Sequence, residues 1–310
     1  LSDEVDYSNI NTTLTVTVAN GNTSATVTDA SKTDTLKNVE KIIGGSGNDT
    51  FVVSDVTNID TLDGGLGTNE LQLSGSNLDL SSVTLLNFDT ITVAAGDTLT
   101  LSATDLDDKT MTITLGNSAT LEVIATSNPN DHDFGGITVL KGTSATAQLI
   151  SNETVNLTTK NLNNIFDTYS TTNGTLTLGE SQVIGKTISG AGSAIVEISA
   201  DSNQDYNSIL TLDNPTNGTV KFTANSTFTG DFANSNIVVN NAVTLSTTFD
   251  KLSGKTDVLS GAGNVTLSDT NVDASNVDAV ANAIDGVLTA TITTGEVKAT
   301  LDAITNVNAN

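Results

Sequence analysis

Gly44-Gly45-Ser46-Gly47-Asn48-Asp49-Thr50-Phe51-Val52 fits the nine-residue pattern G-G-x-G-x-D-x-apolar-x at every specified place. A weaker copy follows at Gly64-Gly65-Leu66-Gly67-Thr68-Asn69-Glu70-Leu71-Gln72. A short glycine period of this kind marks a coil of stacked turns. The glycines bend the backbone so that carbonyl oxygens turn inward, Asp49 adds a carboxylate, and Phe51 and Leu71 fill the inside. Oxygen donors alone suit a hard cation such as Ca2+. With a two-residue insertion at Val53-Ser54, the turns are 44–52, 55–63 and 64–72. In a flattened coil alternate turns share an edge, so the first and third loops should face each other across one ion.

Outward from this stretch, Asp-Thr-apolar recurs at Asp34-Thr35-Leu36, Asp49-Thr50-Phe51 and Asp60-Thr61-Leu62. Leu14 to Val18 alternates as a half-buried strand should. Beyond residue 75 the spacing lengthens: Leu78-Asp79-Leu80, Leu99-Thr100-Leu101 and Leu121-Glu122-Val123 lie 21 to 22 residues apart, a turn of a wider solenoid. Leu99–Val123 has an internal copy at Leu176–Ile198 that aligns Lys109-Thr110 with Lys186-Thr187, and Lys255-Thr256 begins a third. Residues 127–136 read as a loop or junction. Over 272–304, Val277, Val280 and Ile284, then Val297, Leu301 and Ile304, take helical spacing, with Thr293 and Glu296 placed as a capping box. The expected fold is all-β, a parallel β-roll or β-solenoid with short C-terminal helices. Its segments are a roll over 1–75, a wider solenoid over 76–270 with a junction near 127–136, and a mixed end over 271–310.

Composition narrows function. The net charge is −25, and all eleven cationic residues are Lys. Nucleic acid needs a basic face to neutralise phosphate, and this chain has none to spare. The same argument opposes anionic membrane surfaces. No apolar run is long enough for a membrane span, so no insertion is expected. The 28 Asp and 8 Glu suit turns and metal loops better than helices. There is no Cys, hence no disulfide or thiol chemistry. The chain begins at Leu1, and we read it as a piece of a longer polypeptide.

Val5-Asp6-Tyr7-Ser8, Asp34-Thr35-Leu36-Lys37-Asn38-Val39-Glu40 and Gly44 to Asp49 resemble the RTX (repeats-in-toxin) proteins over about residues 1 to 75. The longer repeats resemble those of large RTX adhesins and calcium-dependent surface-layer proteins. The resemblance implies type I secretion, an extracellular place on a bacterial surface, and folding on meeting calcium. The chain departs from that pattern at Asn69, where Asp is expected, and at Asp55 to Asp63, which lacks a glycine pair.

The proposed ligands are the carbonyls of Gly45, Gly47, Gly65 and Gly67 and the side chains of Asp49 and Asn69, with Asp60 and Asp63 nearby. Asp201 to Asp205 and Asp269 to Asp273 both read D-x-N-x-D but lack the rest of an EF-hand loop, so they are read as acidic turns. Asp131-His132-Asp133 holds the single histidine and reads as a solvated loop. No nucleophile elbow, Cys nucleophile or H-E-x-x-H is present, and no catalytic role is assigned. The Thr-x-Thr stretches read as ordinary strand residues. The function expected is a non-catalytic, calcium-stabilised module of a secreted surface protein, most of all a self-assembling surface-layer subunit whose partners are copies of itself. The alternative is a spacer or attachment domain of a large adhesin that meets a cell-surface glycan. A polysaccharide-acting β-helix enzyme ranks last.

Overall fold

A computed structural model describes residues 3–21, 23–75, 77–127, 132–190, 194–200, 218–232 and 235–291. The chain is an all-β, mainly parallel β-solenoid of about 10 turns with a few short helices. It divides into two compact units: Leu1–Asn152 with Lys160–Thr168, and Glu153–Thr159 with Tyr169–Asn310.

In the first unit, one parallel sheet holds Glu4–Asp6, Lys41–Ile43, Thr61–Asp63 and Thr84–Leu86. A second holds Thr15–Val18, Thr50–Val53, Glu70–Leu73, Thr90–Val93, Met111–Leu115 and Ile137–Lys141. A third includes Leu78–Asp79, Thr98–Ser102, Thr120–Ala125 and Thr146–Ser151. The chain visits them in turn and returns one rung on. Thr50 pairs with Glu70 and Glu70 with Thr90, a step of 20 residues. Leu78, Leu99 and Leu121 align at the expected steps of 21 and 22. Val16, Phe51, Leu71, Ile91 and Ile113 form one fully buried column of the second sheet. Burying each such side chain contributes about 1.5–3 kcal/mol.

Three features differ from the sequence expectation. Val53, expected in an insertion between turns, is the last residue of a strand, paired with Leu73. Asp34-Thr35-Leu36 lies outside the coil: Ala25–Thr28 and Thr33–Leu36 form an antiparallel hairpin against the free side of Thr15–Val18. Alternation has period two in either strand direction, so it cannot tell this hairpin from a rung. His132 is buried, not solvated; it stands edge-on to Phe134, which meets Phe166 at 5.8 Å. The segment turns inward because it forms the corner that feeds Ile137–Lys141.

In the second unit, Thr175–Gly179, Ile195–Ala200, Gly218–Phe222 and Asn236–Val239 run parallel in one sheet, and Thr244–Thr247 and Asn264–Leu267 in another. Phe222, Phe228 and Phe232 are buried together, the last two stacked at 4.3 Å. The internal repeat is structural. Thr98–Ser102, Thr175–Gly179 and Thr244–Thr247 are each followed by one short helical turn, Ala103–Asp105, Glu180–Val183 and Phe249–Leu252. Each copy then buries Leu106, Val183 or Leu252 and reverses through a positive φ at Asp108, Gly185 or Gly254. The following lysine amide closes the turn: Lys109 to Leu106 at 3.2 Å, Lys186 to Val183 at 3.0 Å and Lys255 to Leu252 at 2.9 Å.

The helical spacing from 272 appears as Ala274–Ala281, which buries Val277 and Val280 behind the N-cap Asp273. Val297, Leu301, Ile304, Thr293 and Glu296 lie outside the described residues.

Candidate metal centre

The corner joining Lys41–Ile43 to Thr50–Val53 stacks on the corner joining Thr61–Asp63 to Glu70–Leu73, because both flanking strands are in register. Loops 44–49 and 64–69 are therefore neighbours, as expected for the first and third turns. The Gly44 amide donates to the Asp63 carbonyl at 2.8 Å, and the Leu66 amide donates to the Gly45 carbonyl at 3.0 Å. The contact leaves no room for side chains. A Cβ on Gly44 would stand 2.5 Å from the Gly64 carbonyl oxygen. One on Gly67, where φ is +95°, would stand 2.1 Å from the Gly47 oxygen. Glycine is the residue that tolerates both the positive φ and the close backbone approach.

Asp49 is buried at this corner with 1% exposure. Its Oδ1 accepts from the Leu14 amide at 2.8 Å, and its Oδ2 accepts from the Gly45 amide at 2.6 Å. Its own amide donates to Asn69 Oδ1 at 2.9 Å. The Asn69 amide donates in turn to Asp89 Oδ2 at 2.7 Å. Asn69 Nδ2 donates to the carbonyls of Leu66 and Asn87 at 3.3 and 3.0 Å. One side chain per rung thus caps an amide of its neighbour. Burial pushes the Asp49 carboxyl above its ordinary range, while the two amides pull it down. Among the described residues no lysine forms an ion pair with it.

Gly45, Gly47, Gly65, Gly67, Asp49 and Asn69 are thus brought together. Asp63 is close by: its Oδ1 accepts from the Gly65 amide at 2.9 Å and from Asn87 Nδ2 at 2.7 Å. Asp60 is exposed at the opposite end of strand Thr61–Asp63, where its amide donates to the Glu40 carbonyl at 2.8 Å. Asp89 is the member missed from sequence, although Asp89-Thr90-Ile91 is a further Asp-Thr-apolar copy 20 residues after Asn69.

Amide capping recurs along the coil. The Ala147 amide donates to Asp167 at 2.8 Å, Thr143 to Asn117 at 2.9 Å and Thr68 to Asn48 at 2.9 Å. Of the two D-x-N-x-D stretches, Asp201 to Asp205 lie outside the described residues. Asp269 accepts the Phe249 amide at 2.7 Å, and Asp273 begins a helix. Much of the Asp and Asn content therefore satisfies backbone donors at corners, where strand pairing lapses. Among the described residues, no three His, Cys, Asp or Glu side chains gather as a metal site, and no helix is long and apolar enough to cross a membrane. Comparison with protein-family models, with curated proteins and with solved structures gives no match.

Proposed function

We propose that this chain is a non-catalytic, calcium-stabilised structural module of a secreted bacterial surface protein, built to assemble with copies of itself. The observation that carries the reading is Asp49: a buried carboxylate held by the Leu14 and Gly45 amides at the glycine corner, with no lysine ion pair among the described residues. A charge so placed is costly unless a cation meets it. Carbonyl and carboxylate oxygens each keep a second lone pair beyond the amide they accept, so this donor set fits a hard ion. Gly45, Gly47, Gly65, Gly67, Asp49 and Asn69 would hold it, Asp63 would support it, and Asp60 would stay apart. Bound calcium would supply fixed positive charge between successive rungs. With a net charge of −25, the unliganded chain repels itself, so ion binding becomes folding free energy. The reading places the chain among secreted RTX-like proteins outside the cell.

Thermal melting in EDTA and then in excess calcium tests it. At a free concentration of roughly 100 times Kd, the gain is about 2.7 kcal/mol. Asp49→Ala should abolish most of that gain; an unchanged melt on adding calcium removes the reading. Electron microscopy of the calcium-loaded protein then addresses the partner. Two-dimensional sheets support self-assembly, whereas persistent monomers that retain a glycan favour the adhesin spacer.

A further inference from the structure

The three helical corners are alike in backbone, and the side chain at one position of the turn decides how each is tied down. In the second unit, Gln182 fills the key position: its Oε1 accepts from the Gly179 amide at 2.7 Å, and its Nε2 donates to the Leu157 carbonyl at 2.6 Å. Both ends of a neutral amide are satisfied. In the first unit the matching residue is Asp105, with 7% exposure. Its Oδ1 accepts from the Leu85 amide of the preceding rung at 3.1 Å, and the Ser102 amide also holds the carboxyl. Its Oδ2 is buried and has no hydrogen-bond partner.

A buried anionic oxygen without a donor costs far more than the neutral acid in the same place. A second position lies within reach of the side chain. A groove of about 340 Å³ runs beside the corner, lined by Ser81, Ser82, Thr84, Ser102, Thr104 and Lys109. We propose that Asp105 is a proton-operated latch. As the acid it stays turned in and ties the helical turn to Leu85. As the anion it turns out toward the hydroxyls and Lys109, and it frees the Leu85 amide.

The surroundings leave the proton at Asp105 itself. Segment 81–86 packs against it without an ionisable residue. On strand Thr120–Ala125, Glu122 is engaged by the Thr100 hydroxyl at 3.2 Å. Asp107 accepts the Asp133 amide at 2.8 Å, and Lys109 pulls the Asp105 carboxyl down. Burial outweighs that pull and holds the carboxyl up at about 6. The folded group is thus harder to ionise than the free one. Its neutral form is favoured at low pH, and closure weakens as pH rises from the ordinary carboxylate range through about 6.

The test is amide exchange at Leu85 in EDTA, corrected for the intrinsic pH dependence. From pH 5 to pH 8 the opening constant should rise about tenfold in the wild type and stay flat in Asp105→Asn. A pH-independent opening constant in the wild type, or an equal rise in the variant, overturns the latch. If the variant does not fold, the wild type still decides. A carboxyl carbon titration of Asp105 with its midpoint near 6 supports the proposal, and a midpoint in the ordinary carboxylate range overturns it.

Discussion

The glycine corner at 44–49 and 64–69 turns the chain between rungs that copy each other at a step of 20. The helical corner at Ala103–Asp105, Glu180–Val183 and Phe249–Leu252 recurs at strands that begin at Thr98, Thr175 and Thr244, 77 and 69 residues apart. The first kind stacks directly on its own copy, so a side chain at Gly44 would strike the next backbone. The second stacks on other corners and has room for Ala103, Glu180 or Phe249 at one position. Stacking, then, selects the glycines, and amide capping selects Asp49, Asn69 and Asp89. A metal would add to a corner that already has structural reasons for its residues.

That division can be broken by substitution. Gly44→Val should have the largest effect, a loss of about 3 kcal/mol or more with or without calcium, because two backbones must separate. A denaturant midpoint within error of the wild type would remove the stacking argument. Asn69→Asp comes next. In EDTA it sets a carboxylate against the Leu66 and Asn87 carbonyls in place of an amide donor, for a loss of about 1–3 kcal/mol. Added calcium should recover that loss and exceed the wild-type gain, as paired EDTA and calcium melts would read. A loss that calcium does not recover separates capping from metal binding at this corner. The smallest change is Ala242→Gly, at φ +64° in a corner of the second unit. It should stabilise by about 0.5–1 kcal/mol, since Ala resists the left-handed region, and a lower melting temperature would contradict the assignment.

The glycine corner was legible because its constraint is local: four spacings and one carboxylate. The leucine rows of the third sheet were legible for a similar reason, since inward positions repeat at nearly constant steps. Direction was not. Val27 and Leu71 alternate with polar neighbours alike, yet one pairs antiparallel to Val16 and the other parallel to Phe51. His132 looked exposed between two aspartates, but the burial of Phe134 two residues on draws the segment inward. Asp105 gave no sign from its neighbours. Its isolation comes from the rung before it, through Leu85. The chemistry of a rung is written partly in the residues about 20 places away.

The hairpin laid across Thr15–Val18 has a consequence for crowding. A parallel ladder offers its unpaired margin as a template for any like strand, including one from a neighbouring molecule. Here the margin of the second sheet is taken by a reversed strand of the same chain before the repeating coil begins. The outer margin of that sheet is therefore Thr33–Leu36, a hairpin strand rather than a rung of the coil.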